Sequence, residues 1–227
     1  QKSHPIGYPR PVSKLEPSVE VIGGLGVGSA STVVLVKPTG PQSLPTEKRA
    51  AAALGPDDDD DNDRHFLAMK AVAKRKLTRP VDRQRLAAEL KVMRELPTPS
   101  RFLLQCHAAF ESSTDVFFVC DYMAGGDLFY HMALRAQAGT WGIGESRCRT
   151  LLAQVSLGLE HLHGQGFLHR DLKAENVMLD ARGQLKLIDF SLACAIEGEE
   201  QPLRRTGSFL GMAPELLEHK MGGRHTD

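Results

Sequence analysis

The 227-residue chain has the composition of a globular protein, because 41% of its residues are hydrophobic and such a chain can bury a core. Lys plus Arg and Asp plus Glu each number 28, so the overall charge argues for neither a nucleic-acid-binding protein nor a membrane-surface protein. No apolar run reaches the roughly 20 residues of a membrane span, and the chain does not open with a signal-peptide pattern.

The first half of the chain predicts a small sheet with one helix. Residues 1–18 contain four prolines and little periodicity, which predicts a flexible leader. Runs of β-branched residues on both sides of a glycine-rich stretch predict a hairpin of two strands over 19–36. Residues 37–64 carry an alanine run and five consecutive aspartates, so they predict a disordered acidic insertion.

The segment after this insertion predicts three further strands and the helix. The sequence HFLAMKAV predicts a third strand, whose period of two places Ala68 and Lys70 on one face. A helix is then predicted from a stripe of apolar residues: Leu86, Leu90, Met93 and Leu96. Two more strands are predicted at 102–110 and 115–123.

The second half predicts helices around one polar loop. One helix follows the sequence AGGDL, and another is predicted from a further apolar stripe: Leu151, Leu152, Val155, Leu159 and Leu162. Residues 168–180, LHRDLKAENVMLD, place charged and amide side chains between two apolar runs, which is typical of a loop held by rigid elements. A short strand is predicted at 184–190, and a loop at 191–212.

The cysteines give no sign of a metal site. The chain has four of them, at 106, 120, 148 and 194, without C-x-x-C spacing. The pattern favours reduced intracellular thiols, packed as small buried hydrophobes, over a disulfide or zinc framework.

Two patterns in the first half indicate phosphate chemistry. Gly26 and Gly28 would let backbone N–H groups approach phosphate oxygens, although a glycine-rich hairpin without a ligand explains the pattern equally well. Lys70 lies on an otherwise apolar strand, where a lysine either finds an anion or extends to water. Glu89, on the predicted helix, would pair with Lys70 and hold it towards phosphate oxygens.

Taken together, the motifs resemble those of the eukaryotic protein kinases. The glycine loop, the Lys70 strand and the Glu89 helix are followed by HRDLKAEN at 169–176, DFS at 189–191 and APE at 213–215, in the order of that family. The glycine loop and the sequence AGGDLF are most similar to AGC-type serine/threonine kinases, with the ribosomal protein S6 kinases as one candidate subfamily.

The resemblance implies an α+β fold with two lobes. A small antiparallel β lobe with one helix would occupy 19–123, and a mainly helical lobe with the catalytic and activation loops would occupy 124–227. Because the chain stops shortly after APE, the second lobe is expected to be incomplete.

The resemblance also implies ATP and Mg²⁺ as cofactors. It assigns catalytic roles to four side chains: Asp171, Lys173, Lys70 and Glu89. Asp171 would orient the attacking hydroxyl or accept its proton, and Lys173 would neutralise charge on the transferring phosphoryl group. Asn176 and Asp189 would hold the metal.

The same comparison assigns nucleotide binding to a larger set: Gly26, Gly28, Ser31, Val33, Ala68, Lys70, Asp121, Met123 and Asp127. The backbone of 121–123 would pair with adenine. Val33 and Ala68 would contact the adenine ring, and Asp127 would reach the ribose or a basic residue of the substrate.

Two positions depart from the family pattern. Ser191 replaces the glycine of D-F-G, and if the backbone there is left-handed, serine costs roughly 1–2 kcal/mol. Arg204 occupies the usual phosphorylation position and cannot be phosphorylated, which leaves activation by an upstream kinase open.

The expected function is therefore an intracellular kinase that transfers the γ-phosphate of ATP to serine or threonine in a protein substrate, without a nucleic-acid partner or a membrane span. The alternative is a pseudokinase or a truncated regulatory module that binds nucleotide or a partner without turnover. Ser191, Arg204 and the early end of the chain favour that alternative.

Overall fold

The computed structural model describes residues 18–28, 30–39, 66–96, 100–140, 142–196, 207–208, 212 and 214. The predicted leader, apart from Ser18, and the predicted acidic insertion, apart from its first three residues, lie outside this set. Arg204 also lies outside it, so its predicted consequence for activation stays a prediction. The chain divides into two compact units, the first holding residues up to 90 and 105–122, the second 91–104 and 123 onward.

The first unit is built on a five-stranded antiparallel sheet with the order β1-β2-β3-β5-β4. Its strands are β1 (Val19–Val27), β2 (Ser31–Pro38), β3 (Leu67–Ala73), β4 (Cys106–Glu111) and β5 (Asp115–Asp121). Helix α1 follows β3 and spans Pro80–Glu95. The predicted small antiparallel sheet with one helix is thus present.

The inner strand β5, between β3 and β4, carries buried residues on both of its faces. On one face Phe110 stacks on Phe117 with ring centroids 4.8 Å apart, next to Val119. On the other face Val116 and Phe118 are fully buried. This explains why the β5 sequence, DVFFVCD, is apolar at nearly every position instead of alternating.

The second unit contains two helices and several short strands. The helices are α2 (Leu128–Gln137) and α3 (Glu145–Gly164). The strands are β6 (Gly126–Asp127), β7 (Phe167–Leu168), β8 (Val177–Leu179), β9 (Leu185–Leu187) and β10 (Cys194–Ala195). A buried cluster that includes Leu103, Leu162, Leu187 and Phe190 forms its core.

Several predicted boundaries were wrong. The strand expected from 102 begins only at Cys106, and the one expected at 184–190 is limited to Leu185–Leu187. The region expected to be loop from 191 contains β10. The expected insertion also starts too early, because residues 37 and 38 complete β2. Short strands paired across the chain leave little local pattern, which explains most of these errors.

Two predictions of burial were also wrong. Leu152, expected in the apolar stripe of α3, is 63% exposed, and Cys148, expected to be a small buried hydrophobe, is exposed. Among the helices of the described residues, none combines the length and the apolar character that a membrane span requires.

Candidate active site

The strand register of the first unit brings three predicted nucleotide-binding residues to one face of the sheet. Val33 on β2 is directly opposite Lys70 on β3. Ala68 lies two residues from Lys70 and therefore on the same face. Lys70 is in turn opposite Phe118 of β5, and its ammonium lies 5.9 Å from the centre of that ring. The predicted residues thus form a continuous patch of lysine, alanine and valine.

Lys70 pairs with Glu89 as the sequence predicted. The Lys70 Nζ lies 2.5 Å from Glu89 Oε1, across 19 residues of chain. The side chain of Glu89 is only 4% exposed, whereas that of Lys70 is 28% exposed. The glutamate is therefore held inside the first unit, and the pair orients a partly exposed ammonium group.

The glycine-rich stretch forms a tight turn of the β1–β2 hairpin. Gly26 lies on β1 opposite Val33, and the N–H of Gly28 donates to the carbonyl of Ser31 over 2.8 Å. A Cβ at Gly28 would approach the Ser31 hydroxyl to 3.0 Å. Gly26, Gly28 and Ser31 therefore lie together at one end of the hairpin, where backbone N–H groups can approach an anion.

The predicted adenine-binding stretch has well-defined side-chain contacts. Asp121 ends β5, and its carboxylate accepts hydrogen bonds from the Gln105 N–H at 3.0 Å and from His107 Nε2 at 2.8 Å. The Asp121 N–H donates to the carbonyl of Gln105. Met123 is 5% exposed, and its carbonyl accepts from the N–H of Gly126. Both residues are thus held firmly within their own units.

Asp127 has a structural role that its predicted nucleotide contact did not include. It is the N-cap of α2, where its carboxylate accepts a 2.7 Å hydrogen bond from the N–H of Tyr130. Aspartate is among the preferred residues at this position because it satisfies a helix N–H that has no partner within the helix. The contact to ribose or substrate stays a prediction.

We expect Asp127→Ala to lower the free energy of unfolding by about 0.5–2 kcal/mol, because the N-cap is lost. Asp127→Ser is the matched control, since a serine hydroxyl can cap the same N–H. Urea denaturation of both variants measures the difference, and equal losses would contradict the capping role. If Asp127→Ser keeps its stability but binds nucleotide more weakly, that result would support the predicted ribose contact.

The polar loop of the second unit lies between β7 and β8 and is organised by a buried histidine. His169 is fully buried; its Nε2 donates to the carbonyl of Ile188 over 3.1 Å, and its Nδ1 accepts from the N–H of Asp171. Its ring also meets Phe190 edge to face at 5.5 Å. No role was predicted for His169. A histidine beside a buried strand is nevertheless a signal for a side chain that holds the backbone by hydrogen bonds.

Asp171 lies at the centre of the loop. Its carboxylate accepts four hydrogen bonds: Oδ2 accepts from Lys173 Nζ at 2.7 Å and Asn176 Nδ2 at 3.0 Å, and Oδ1 accepts from the Ser208 N–H at 2.8 Å and Ser208 Oγ at 2.9 Å. Asn176 Nδ2 also donates to the backbone carbonyl of Asp171 over 2.8 Å. The predicted catalytic and metal-binding residues of this loop therefore form one network.

Ser208 is the member of this network that sequence reasoning missed. Its hydroxyl donates to Asp171 and accepts from Lys173 Nζ over 3.1 Å. The only available signal was the match of Gly207-Ser208 to the family's Gly-Thr. Gly207 has φ of +107°, and a Cβ there would lie 2.5 Å from the carbonyl oxygen of Arg170, so glycine is required for Ser208 to reach Asp171.

The charges of the network stabilise each other. Burial acts to raise the pKa of Asp171, but the hydrogen bonds from Lys173 and Ser208 outweigh it, so the pKa lies below its ordinary value. The hydrogen bond to Asp171 is the main reason why the pKa of Lys173 is raised, and the charge of Asp189 also contributes. Asp171 is thus ionised and Lys173 is protonated at neutral pH, as a base and a phosphate-neutralising cation require.

Asn176 and Asp189 come to the same end of the β8–β9 hairpin. Asn176 precedes β8, Asp189 follows β9, and the N–H of Ile188 donates to the carbonyl of Asn176 over 3.0 Å. Asn176 uses its amide nitrogen towards Asp171, so its amide oxygen is the atom it can offer to a metal.

These donors fit Mg²⁺, which binds a few protein oxygens together with substrate phosphates. In the described part of the chain, no three His, Cys, Asp or Glu side chains cluster to form an all-protein metal site. The oxygens of Asn176 and Asp189 would therefore need phosphate and water to complete the coordination.

The left-handed backbone on which the expected cost at Ser191 depended is absent. Asp189 is the left-handed residue, with φ 62° and ψ 76°, and its carboxylate accepts from the N–H of Ser191 over 3.2 Å. Among the described non-glycine residues, only Arg170 and Asp189 have positive φ. Ser191 lies in a short 3-10 turn and needs no glycine-like backbone. The substitution thus removes little from the geometry around Asp189.

Arg170 connects the polar loop to the segment that follows Asp189. Its Nε donates to the carbonyl of Leu192 over 2.7 Å. This contact holds the residue before Asp171 to the beginning of the segment that follows Asp189.

Comparisons with known proteins identify the family and several relatives of the chain. The family profile "protein kinase domain" matches residues 59–227. The chain is 34% identical over 157 residues to a putative ribosomal protein S6 kinase alpha-1 of Caenorhabditis elegans, covering 69% of this chain and 19% of that protein. It is 32% identical over 161 residues to a probable serine/threonine-protein kinase of Dictyostelium discoideum, covering 70% and 34%.

A third relative, ribosomal protein S6 kinase 2 alpha of Gallus gallus, is 32% identical over 215 residues, covering 94% of this chain and 25% of that protein. The chain therefore spans between 19% and 34% of the length of these three relatives. The predicted resemblance to the protein kinases, with ribosomal protein S6 kinases among the relatives, is confirmed. Because the family match extends over more than half of its length, the chain belongs to the protein kinase domain family.

Proposed function

We propose that the chain carries the catalytic residues of a serine/threonine protein kinase, which transfers the γ-phosphate of ATP to a hydroxyl group of a protein. The observation that carries this proposal is the network around Asp171, which combines an ionised carboxylate with a protonated lysine and an amide group that both donate to it. The names of the relatives, ribosomal protein S6 kinases and a probable serine/threonine-protein kinase, support the substrate class.

Each side chain has a defined task in the proposed reaction. Asp171 orients the substrate hydroxyl and accepts its proton, while Lys173 neutralises charge on the transferring phosphoryl group. Lys70, held by Glu89, binds phosphate oxygens of the nucleotide. Asn176 and Asp189 hold Mg²⁺, which supplies charge neutralisation at the phosphates when it is bound.

The proposal is tested by nucleotide binding and phosphate transfer on the same preparation. We expect Mg-ATP to raise the melting temperature, and we expect labelled phosphate to appear on a serine/threonine peptide. Binding of Mg-ATP without any transfer would contradict the proposal and support the pseudokinase alternative. Absence of both effects would contradict nucleotide binding as well.

We expect Ser208→Ala to slow phosphate transfer by roughly 10- to 150-fold. One hydrogen bond to a charged group contributes about 1.5–3 kcal/mol, and about 1.4 kcal/mol corresponds to a tenfold change in rate. Ser208→Thr is the matched control, because threonine keeps the hydroxyl between Asp171 and Lys173. Steady-state kinetics measure the rate of phosphate transfer by both variants. Equal rates for Ser208→Ala and Ser208→Thr would show that the hydroxyl does not contribute to transfer.

A further inference from the structure

The first unit contains a pair of cysteines that the proposed reaction does not use. Cys106 on β4 is the register partner of Cys120 on β5, and the two strands are antiparallel. The next pair along the ladder, Gln105 and Asp121, is hydrogen-bonded, since the N–H of Asp121 donates to the carbonyl of Gln105. The register shifts between Cys106 and Ala108, but on the side of Gln105 and Asp121 ladder positions alternate. Cys106 and Cys120 therefore form a non-hydrogen-bonded pair, in which Cα atoms are ordinarily about 4.5 Å apart and side chains are closest.

This geometry suits a covalent bond between the two sulfur atoms. A disulfide needs Cα atoms about 4.4–6.8 Å apart and Cβ atoms that point towards each other, and directly paired residues on one face of a sheet provide both. The nearby Cys106 side chain is the main cause, ahead of burial, of the raised pKa of Cys120.

The two cysteines differ in their access to solvent. β4 is an edge strand of the sheet and Cys106 is partly exposed, with its thiol donating to the carbonyl of Ala108 over 3.2 Å. Cys120 lies on the inner strand β5 and is 5% exposed. An oxidant from solvent therefore reaches Cys106 first. Cys120 is then the thiol that lies opposite the oxidised Cys106 and can react with it.

We propose that Cys106 and Cys120 form a peroxide-sensitive thiol pair that closes to an intrachain disulfide between β4 and β5. The Cys106 thiolate attacks one oxygen of hydrogen peroxide, the O–O bond breaks, and the products are a sulfenic acid and hydroxide. The Cys120 sulfur then attacks the Cys106 sulfur, and the S–O bond breaks. Hydroxide leaves with the proton of Cys120 as water. Overall, two thiols are oxidised and one peroxide is reduced to two waters.

The test uses the full chain, treated with increasing hydrogen peroxide and then alkylated. No Lys or Arg lies between 102 and 134, so trypsin leaves both cysteines in one peptide, and a second cleavage after Glu111 separates them. We expect two of the four cysteines to lose alkylation, and the two separated peptides to stay joined until a reductant is added. Joining of Cys106 to Cys148, to Cys194 or to a second chain would overturn the proposal.

Two variants test the order of the steps, with Cys148 as an internal control because it is exposed. In Cys120→Ser, Cys106 should accumulate as a sulfenic acid that dimedone captures. In Cys106→Ser, Cys120 should stay reduced at peroxide concentrations that fully join the pair in the unaltered chain. The proposal would be overturned if, in the unaltered chain, Cys106 and Cys120 were still reduced and open to alkylation after Cys148 had been oxidised. Oxidation of Cys120 in Cys106→Ser would also overturn it.

Discussion

Replacing Asp171 by asparagine is expected to lower the rate of phosphate transfer by about 10²–10⁴-fold, the range of a lost general base. The carboxylate is the acceptor for Lys173, Asn176 and Ser208. An asparagine side chain keeps one acceptor oxygen, whereas its NH2 group replaces the other oxygen and faces hydrogen-bond donors. It also cannot take a proton from the substrate hydroxyl. The loss should therefore appear in kcat and leave the affinity for Mg-ATP nearly unchanged.

The matched control for this variant is Glu160→Gln, which makes the same chemical change at an exposed position on α3. It should retain the full transfer rate. Both variants are measured with labelled ATP and a serine/threonine peptide, after their melting curves have been compared. Transfer by Asp171→Asn within a factor of about 10 of the original rate would contradict a role as general base.

Replacing Lys70 by methionine is expected to lower the free energy of unfolding by about 1–3 kcal/mol, the cost of a buried polar group that loses its partner. Glu89 is 3% exposed, so after the substitution its carboxylate stays in a poorly solvated environment without the lysine charge. Methionine has nearly the length of the lysine stem and limits the loss of packing. The variant should also lose binding of Mg-ATP, because Lys70 is proposed to contact phosphate.

A double-mutant cycle with Glu89→Gln isolates the pair, since the two single losses should sum to more than the loss in the double variant. The exposed pair of Glu145 and Arg149, with 2.6 Å between its charged atoms, is the matched control. Arg149→Met should change stability by no more than ~1 kcal/mol. Denaturation by urea measures all of these variants, and additive losses at Lys70 and Glu89 would show that the pair contributes nothing.

Much of the first unit could be predicted from the sequence. β2 and β3 show β-branched residues or a period of two, and α1 carries its apolar stripe at helical spacing. These signals come from neighbours within about one turn or one strand. The pairing of Lys70 with Glu89 could also be predicted, because a lysine on an apolar strand either finds an anion or extends to water, and Glu89 lies on the helix that follows.

The short strands of the second unit could not be delimited in this way. β7 and β10 have two residues each, and so short a segment has no period to detect. They are strands because the Phe167–Leu168 backbone finds a partner in Cys194–Ala195, which lies more than 25 residues further along the chain. The pairing strand determines the structure of such short segments, and the residues within the segment carry no information about that strand.

The backbone around Asp189 shows the same limit. Comparison of DFS at 189–191 with the D-F-G motif, position by position, suggested a backbone cost at Ser191 because serine replaces glycine there. In the folded chain, Asp189 takes the left-handed conformation, while Ser191 donates its N–H to the Asp189 carboxylate. One argument for the pseudokinase alternative is weakened by this geometry.

By itself, the sequence determined the kinase family, the order of the main elements and the types of side chain available for phosphate transfer. These depend on residue identity and local periodicity. The tertiary structure alone decided that Ser208 reaches Asp171 across 37 residues and that Cys106 is opposite Cys120. The physical reason is that hydrogen-bond and register partners depend on where distant segments meet, and that position results from the packing of the whole unit.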